Sequence, residues 1–354
     1  MTPKFHTLKV KEVRRETKDA VSIAFDVPES LQADYQFIPG QYLTLRTVID
    51  GEDIRRSYSL CSAPFENEWR VAVKQVEGGK FSTYVNTELK AGDELQVMTP
   101  MGNFQLKANP TAQKSYVLFA GGSGVTPILS VLKEILMFEP LSDVTFFYGN
   151  RDFASIIFRE EIEALKNKYM NRLRVIHVLS FESLGNKIQK GLMDKQKCED
   201  LYNAFLKGTN VSEVYVCGPE VMMLAVRDSF EGLGFPREKI FFELFTSSTP
   251  VKKKEVDTTL PKINANVQVI LDGDTYDIAM DASETVLDAA YKAGADLPFA
   301  CKGGVCCTCK AKILEGEATM DVNYALEPDE VAAGYILTCQ ARPTTEKLVV
   351  SFDD

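Results

Sequence analysis

Short runs rich in Val, Ile, Tyr and Phe recur from Phe5 to about Pro110, and turn residues separate them. The runs are HTLKVKEV, AVSIAFDV, QYLTLRTV, IRRSYSL, WRVAVKQV and ELQVM. β-branched and aromatic residues favour strands, so each run is predicted to form one. Six such strands joined by turns predict an antiparallel β-barrel or sandwich over residues 1–110.

Residues 111–245 follow a different pattern, in which each short apolar run precedes an amphipathic segment of helical length. The pairs are SYVLFA with PILSVLKEILMF, VTFFYG with FREEIEALKNKY, LRVIHVLS with CEDLYNAFLKG, and VYVCG with EVMMLAVRDSF. Alternation of strands and helices predicts an α/β unit whose parallel sheet is covered by helices on both faces.

A polar segment rich in Ser, Thr, Pro and Lys, residues 246–264, follows the α/β unit and is the predicted linker. Beyond it, the runs NVQVIL, TYDIAM, SETVLDAAYKAG, CKAKIL and KLVVSF predict a compact mixed domain over residues 265–354. The chain is therefore predicted to be a multidomain α+β protein with three folded units.

The composition is that of ordinary globular domains, with 45% hydrophobic and 25% charged residues among 354. No apolar stretch approaches the roughly 18 residues of a membrane span. The N-terminal MTPKFHTLKV also lacks the apolar region of a signal peptide. We expect a cytoplasmic protein without a membrane partner.

The net charge of −10 originates in the C-terminal domain. Residues 1–245 carry 30 basic and 32 acidic side chains, whereas residues 265–354 carry 6 and 16. Binding to nucleic acid needs clustered Lys and Arg, so we expect no nucleic-acid partner. An acidic domain of this kind is expected to dock on a basic surface of a protein partner.

Four of the eight cysteines give the strongest chemical signal: Cys301-x4-Cys306-x2-Cys309, with Cys339 30 residues later. This is the ligand spacing of plant-type [2Fe–2S] clusters. Several cysteines crowded into one loop indicate metal ligation in a reducing compartment rather than disulfides. Gly303 within the loop suits close wrapping of a cluster.

A zinc site and a set of buried thiols are the alternatives. Zinc also accepts four thiolates, but the paired Cys-x2–4-Cys knuckles of zinc sites are absent. The two histidines, His6 and His177, lie far from the cysteines in sequence, which argues against a Rieske centre. Cys307 stands where the spacing needs no ligand, so we predict that it is not one.

Two segments of the predicted barrel could bind a phosphate-bearing cofactor. Arg56-Ser57-Tyr58-Ser59 combines cationic, aromatic and hydroxyl side chains on one predicted strand, for which an ordinary half-buried strand is the alternative. Gly78-Gly79-Lys80-Phe81-Ser82 leads into the helix-like STYVNTEL, where free backbone N–H groups can meet a phosphate. A plain turn with Ser82 as the helix N-cap is the alternative there.

A third glycine-rich segment, GGSGVTP at 121–127, joins a predicted strand to a predicted helix, with Pro127 at the first helical position. It departs from the usual dinucleotide fingerprint, because it lacks the third glycine and the next strand ends at Asn150 and Arg151 without an acid. Cys217-Gly218-Pro219 ends another strand, at the edge where ligands bind in open α/β sheets. A buried structural cysteine is the alternative for Cys217.

These motifs are similar to those of known families. Residues 1–245 resemble the ferredoxin–NADP reductase superfamily through R-x-Y-S at 56–59 and G-G-x-G-x-T-P at 121–127. Residues 265–354 resemble plant-type ferredoxins through the cysteine spacing. The resemblance implies a flavin-binding β-barrel, an NAD(P)-binding α/β domain and a β-grasp domain that carries single electrons.

The resemblance also implies roles for individual residues. FAD is implied, with FMN as the alternative, and Arg56 would bind the flavin phosphate. Ser59 and Cys217 would lie at the point of hydride transfer as catalytic positions, and Phe245 would pack either beside the flavin or in the core. The implied FAD-binding residues are Arg56, Ser57, Tyr58, Ser59, Gly79, Lys80, Phe81 and Ser82; the nucleotide-binding residues are Gly121, Gly122, Gly124, Thr126, Pro127, Arg151, Cys217, Gly218 and Pro219; and the cluster ligands are Cys301, Cys306, Cys309 and Cys339.

Over its whole length the chain resembles the reductase subunits of phenylacetyl-CoA epoxidases, through the domain order, YGNR, VAVKQVEGGKFS and the stretch from LPFACKGG to ILTCQA. This implies electron transfer from NADPH through FAD and [2Fe–2S] to a di-iron oxygenase. Arg151 stands where a 2′-phosphate could be paired, which favours NADPH. The alternatives are a reductase of another hydroxylase or ring-hydroxylating dioxygenase, and a redox sensor without enzymatic turnover.

Overall fold

A computed structural model describes residues 4–245, 264–281 and 283–353. Its strands form a six-stranded sheet, then a five-stranded sheet, then a second five-stranded sheet with a two-stranded ribbon. The predicted multidomain α+β class is confirmed. The predicted linker, residues 246–264, lies outside the described residues except for its last residue, and the predicted domain boundaries stay predictions.

The N-terminal unit is the predicted antiparallel barrel. It consists of β1 (Phe5–Thr17), β2 (Ala20–Asp26), β3 (Tyr42–Ile49), β4 (Glu52–Ser59), β5 (Trp69–Lys74), helix α1 (Lys80–Thr87) and β6 (Glu94–Met98). The strand order is β4-β3-β6-β1-β2-β5. A bridge between Leu60 and Val71 joins the two edges of the sheet, so the sheet closes on itself. Leu43 and Leu45, two residues apart, bury their side chains in its core.

The middle unit is the predicted parallel sheet with helices between its strands. Its elements are β7 (Ser115–Gly121), α2 (Val125–Phe138), β8 (Asp143–Asn150), α3 (Arg159–Lys168), β9 (Leu173–Leu179), α4 (Lys195–Phe205), β10 (Val211–Gly218), α5 (Glu220–Gly232) and β11 (Ile240–Leu244). The order β11-β10-β7-β8-β9 places β7 and β10 side by side at the centre. Their carboxyl ends therefore lie together at one sheet edge, where such folds bind ligands.

The C-terminal unit combines a mixed sheet with two short helices. Its elements are β12 (Ala265–Leu271), β13 (Asp274–Met280), α6 (Val286–Lys292), β14 (Lys310–Glu315), β15 (Ala318–Met320), α7 (Pro328–Ala332), β16 (Tyr335–Leu337), β17 (Ala341–Pro343) and β18 (Lys347–Ser351). The sheet order is β13-β12-β18-β14-β16, and β15 pairs with β17. A long loop between α6 and β14 carries three of the four predicted cluster ligands.

Two helices begin earlier than the sequence predicted. Helix α2 starts at Val125, so Pro127 is its third residue and not its first. The proline is still tolerated, because the first N–H groups of a helix have no intrahelical partner. Helix α1 starts at Lys80 after Gly79, so the alternative with Ser82 as the N-cap was wrong. None of the described helices combines the length and the apolar character needed to cross a membrane.

The C-terminal unit packs against the hairpin formed by β3 and β4. Tyr42 of β3 lies in one apolar cluster with Ala300 and Cys306. Arg55 of β4 forms an ion pair with Asp296 at 2.6 Å. The loop that carries the predicted cluster ligands therefore lies against the barrel.

Candidate functional site

The R-x-Y-S segment forms the end of β4 and faces helix α1. Arg56 and Tyr58 share one face of the strand, because they are two residues apart. The exposed Arg56 donates from Nη1 to the Arg55 carbonyl oxygen at 2.7 Å. Tyr58 stacks on Phe81, with 5.7 Å between ring centroids and 26° between planes. The two predicted flavin segments thus meet in one place.

The N-terminus of α1 fits a phosphate group. No described side chain caps this helix after Gly79, and its first N–H groups have no intrahelical partners. Lys80 adds a positive charge, since its ion pair with Glu52 at 2.8 Å joins two exposed side chains and is weak. Ser82 is held by the Val76 N–H, which donates to its Oγ at 3.1 Å. Free N–H groups, a helix dipole and a lysine are what a flavin phosphate needs.

A carboxyl group that sequence reasoning missed lies at the centre of the site. Glu243 of β11 accepts a hydrogen bond from Ser59 Oγ at 3.0 Å. It pairs in register with Cys217 of β10, so Ser59, Cys217 and Glu243 are neighbours. Burial raises the pKa of Glu243 to about 8. The only signal in the sequence was a single acid inside the apolar run IFFELF.

The glycine-rich loop before α2 packs against the end of β10. A Cβ on Gly124 would lie 2.2 Å from the Cys217 carbonyl oxygen, and a Cβ on Gly121 would lie 2.6 Å from Pro219 Cδ. Both positions therefore require glycine, because the backbones approach too closely for a side chain. The structure brings the loop and the Cys217-Gly218-Pro219 segment together, as the resemblance implied.

Hydroxyl groups hold the shape of this loop. Tyr148 Oη donates to the Gly122 carbonyl oxygen at 3.1 Å, and Gly122 has a φ of +52°. Thr126 Oγ1 donates to the Ser123 carbonyl oxygen at 3.1 Å. The loop is thus preorganised at the carboxyl edge of the sheet, which lowers the entropy cost of binding a nucleotide.

Arg151 and Phe245 are placed less clearly at the site. The Arg151 side chain is 54% exposed. Its Nη2 donates to Asp19, in the turn between barrel strands β1 and β2, at 2.8 Å. Asp19 also lies 3.8 Å from Lys74. Phe245 packs at the edge of the main apolar core, which corresponds to the core alternative.

The four predicted ligand cysteines converge in the C-terminal unit. The sulfur atoms of Cys301 and Cys306 are 3.1 Å apart. Hydrogen bonds with the thiols of Cys306 and Cys339 lower the pKa of Cys301. The pKa of Cys339 is raised by the thiols of Cys301 and Cys309, so that all four sulfurs belong to one cluster of contacts.

The surroundings of these thiols suit a [2Fe–2S] cluster better than zinc. The Gly303 N–H donates to Cys301 Sγ at 3.3 Å, and backbone donors of this kind stabilise a cluster. Gly304 has a φ of +73°, and a Cβ there would lie 2.8 Å from the Val322 carbonyl oxygen. The Cys-x4-Cys-x2-Cys spacing of the loop also lacks the paired Cys-x2–4-Cys knuckles of zinc sites.

Cys307 points away from the other thiols. Its Sγ donates to the Ala325 carbonyl oxygen at 3.4 Å and accepts from Asn103 Nδ2 at 3.6 Å. Burial raises the pKa of this thiol to about 12. These contacts support the prediction that Cys307 is not a cluster ligand.

A barrel whose helix N-terminus suits a phosphate, a glycine-rich loop at the carboxyl edge of a parallel sheet and a cluster of four cysteines in one chain indicate a class of protein: a flavin- and iron-sulfur-dependent electron-transfer reductase. Family comparison agrees along the chain. Residues 7–106 match the oxidoreductase FAD-binding domain, residues 118–228 the oxidoreductase NAD-binding domain, and residues 269–344 the 2Fe-2S iron-sulfur cluster binding domain. The cofactors FAD and [2Fe–2S] are thereby confirmed.

Relatives share the whole arrangement. The chain is 43% identical to a subunit of the 1,2-phenylacetyl-CoA epoxidase from Escherichia coli K12, over 99% of this chain and 98% of the relative. It is 35% identical to the ferredoxin reductase component of 3-ketosteroid-9-alpha-monooxygenase from Rhodococcus rhodochrous, over 98% and 96%. The solved structure of phthalate dioxygenase reductase has the same fold, with a TM-score of 0.60, 24% identity and 98% coverage of both chains. The chain belongs to the family of NAD(P)H-dependent reductase components of multicomponent oxygenases.

Proposed function

We propose that this chain is the reductase subunit of a phenylacetyl-CoA epoxidase, which passes electrons from NADPH to a di-iron oxygenase. The observation that carries the proposal is the 43% identity to the Escherichia coli protein over 99% of the chain. The aligned length includes all three units, so it covers the complete route from nucleotide to cluster. The acceptor would be the oxygenase component of that enzyme.

In the proposed reaction the side chains align the nicotinamide with the flavin and exclude water, and no further chemistry is required of them. Bound FAD would supply the hydride-accepting and one-electron-donating chemistry, held by Arg56 and the N-terminus of α1. Ser59 and Cys217 are the proposed catalytic positions, because both are almost fully buried, at 1% and 0% exposure, beside Glu243. The glycines of the nucleotide loop let the dinucleotide approach the backbone, and Arg56 and the N-terminus of α1 hold the flavin phosphates.

NADPH is the proposed donor. Strand β8 ends at Asn150 and not at an acid that would hold ribose hydroxyls. The exposed Arg151 can exchange Asp19 for a 2′-phosphate, which carries more charge. Arg151→Ala should lower kcat/KM for NADPH and leave the value for NADH nearly unchanged. A preference of the natural protein for NADH by about tenfold in kcat/KM would contradict the proposal.

The cytoplasm is the proposed compartment. No disulfide joins any of the eight cysteines, all of which lie among the described residues, and four of them are the proposed cluster ligands. Thiols that must bind a cluster persist in a reducing compartment, whereas an oxidising one would favour disulfides.

Reconstitution tests the choice of oxygenase. Purified reductase is combined with the oxygenase subunits of the Escherichia coli epoxidase, NADPH and phenylacetyl-CoA, and the epoxide is measured against NADPH consumed. We expect coupled turnover. Loss of coupling with active reductase would contradict the proposal.

A steroid monooxygenase reductase is the second candidate, because the 35% identity to the Rhodococcus component also spans 98% of the chain. The same assay with the steroid oxygenase and a 3-ketosteroid separates the two. Neighbouring genes for di-iron subunits and a CoA ligase would favour the epoxidase.

A further inference from the structure

Tyr42 connects the flavin pocket to the iron-sulfur loop. It is paired with Ser59 across strands β3 and β4, so the two side chains share one face of the hairpin. Its ring packs against Ala300 and Cys306 of the C-terminal unit and against Met101. Only 5% of Tyr42 is exposed. One side chain of the barrel thus contacts a proposed cluster ligand directly.

A hydrogen bond extends this contact. Tyr42 Oη lies 3.1 Å from Thr308 Oγ1, in a buried pair 266 residues apart in sequence. Thr308 stands between the proposed ligands Cys306 and Cys309, two residues after Cys306. The thiolate of a cluster ligand can only accept, so a Thr308 hydroxyl that accepts from Tyr42 is left with its own proton to donate to the Cys306 sulfur.

We propose that Tyr42 is a positioning residue for electron transfer between the two cofactors: its ring seats the cluster loop on the flavin pocket, and its hydroxyl directs the Thr308 hydroxyl onto the Cys306 sulfur. This inference deepens the proposed function, because it concerns the transfer from flavin to cluster. It is independent of which oxygenase receives the electrons.

Three physical effects follow from this geometry. A hydrogen bond to a ligand sulfur stabilises the added negative charge of the reduced cluster and raises its reduction potential. A chain of hydrogen bonds polarises each member, so the Tyr42 hydroxyl strengthens the bond that Thr308 makes. The packed ring also keeps water out of the gap between the flavin pocket and the cluster, and tunnelling of an electron weakens steeply as such a gap widens.

The test uses Tyr42→Phe, Thr308→Val and the double variant, all in the full-length holoprotein. Tyr42→Phe keeps the ring and removes only the hydroxyl. The cluster midpoint potential is measured by a redox titration followed by electron paramagnetic resonance. Rapid mixing with NADPH, without any oxygenase, separates the rate of flavin reduction from the rate of cluster reduction. The matched control is Tyr35→Phe, since Tyr35 is a buried barrel tyrosine whose hydroxyl donates to the Val97 carbonyl oxygen at 2.6 Å.

We expect a more negative cluster potential in both single variants and no further change in the double variant, because both changes break one chain of bonds. Cluster reduction should slow by about fivefold in Tyr42→Phe, the effect of one lost hydrogen bond, while flavin reduction stays unchanged. Iron and flavin contents serve to confirm that each variant is loaded.

An unchanged potential and an unchanged rate of cluster reduction in loaded Tyr42→Phe would overturn the proposal. Equal changes in Tyr35→Phe would also overturn it, because they would reflect a general loss of stability in the barrel. Failure to couple to phenylacetyl-CoA oxidation would bear only on the proposed function, since these measurements contain no oxygenase.

Discussion

Glu243 is a half-buried carboxyl group whose charge the surrounding protein disfavours. Burial raises its pKa from 4.5 to about 8, and the hydrogen bond from Ser59 offsets only part of this effect. Between these two values the native state holds a proton that the unfolded chain releases. The free energy of unfolding should therefore fall as the pH rises from about 4.5 to 8 and stay level above that range.

Glu243→Gln should remove this part of the pH dependence, because the amide keeps a hydrogen-bonding group without a charge. We expect the variant to be more stable than the natural protein at pH 8, by roughly 2 kcal/mol after allowance for partial exposure, and equal to it near pH 4.5. Thermal unfolding of both proteins at several pH values measures the difference. Parallel pH profiles of Tm would contradict the burial argument.

The cysteine ligand set makes a second prediction for single residues. Replacement of Cys301, Cys306, Cys309 or Cys339 by Ser should abolish the cluster and leave NADPH-to-ferricyanide activity, because that activity needs only the flavin. Cys307→Ser should retain the cluster, since its Sγ bonds the Ala325 carbonyl oxygen. Iron content and visible absorption check both statements. Loss of the cluster in Cys307→Ser would mean that the ligand set is wrong.

Residues in short motifs could be predicted from the sequence, whereas residues that act across domains could not. Three of the four predicted ligand cysteines lie within nine residues, at 301–309, and the R-x-Y-S segment spans four residues, at 56–59. Tyr42 acquires its role from Thr308, 266 residues away, and no local pattern marks such a pair. Glu243 was missed for the same reason, because Ser59, its partner, is 184 residues away.

One prediction concerns the glycine-rich loop before helix α2, where the backbone lies close to β10. Gly124→Ala would place a Cβ 2.2 Å from a backbone oxygen of β10, and neither backbone can move freely. We expect KM for NADPH to rise at least about tenfold and the free energy of unfolding to fall by about 1–3 kcal/mol. Gly232→Ala is the matched control in the same unit, since no atom lies within 4 Å of its Cβ position. Normal NADPH kinetics in Gly124→Ala would contradict the close-approach argument.

Strands were predicted more reliably than helix ends. Runs of β-branched and aromatic residues between turns located all six barrel strands, including β2 and β5, which are buried on both faces. The starts of α1 and α2 lie two residues before the predicted ones, at Lys80 and Val125. Ser82 and Pro127 are both favoured at helix starts, yet both fit equally well inside the first turn, where N–H groups are unpaired.

For the whole molecule, a buried cation holds the C-terminal unit in place. The Arg55 side chain is 1% exposed and pairs with Asp53 at 3.1 Å and Asp296 at 2.6 Å. Its guanidinium also lies 4.1 Å from the centre of the Phe299 ring. Arg46 adds a longer pair with Asp296 at 3.6 Å. Only the Arg55 end of its pair with Asp296 is sheltered, since the Asp296 side chain is 60% exposed, so salt screens this ion pair in part.

Salt should separate two electron-transfer steps. The charge of −10 on residues 265–354 should steer the cluster domain to a basic surface of the oxygenase, and salt screens such steering over a Debye length of about 10 Å at 0.1 M. Transfer to the oxygenase should slow as salt rises, whereas NADPH-to-ferricyanide turnover should change less. A rate of electron transfer to the oxygenase that stays constant between about 20 mM and 500 mM salt would indicate that the acidic side chains of residues 265–354 serve only solubility.

The hairpin of β3 and β4 also bears on how such chains can be recombined. Tyr42, Arg46 and Arg55 share one face of this hairpin and contact the C-terminal unit, while Arg56 projects from the other face. A transplanted ferredoxin domain would engage those three side chains if it carried an acid in place of Asp296, a small hydroxyl residue in place of Thr308 and an aromatic ring in place of Phe299. We expect such an exchange of the terminal electron carrier to leave the face with Arg56 and Tyr58 unchanged, whereas Ser59 shares the exchanged face with Tyr42.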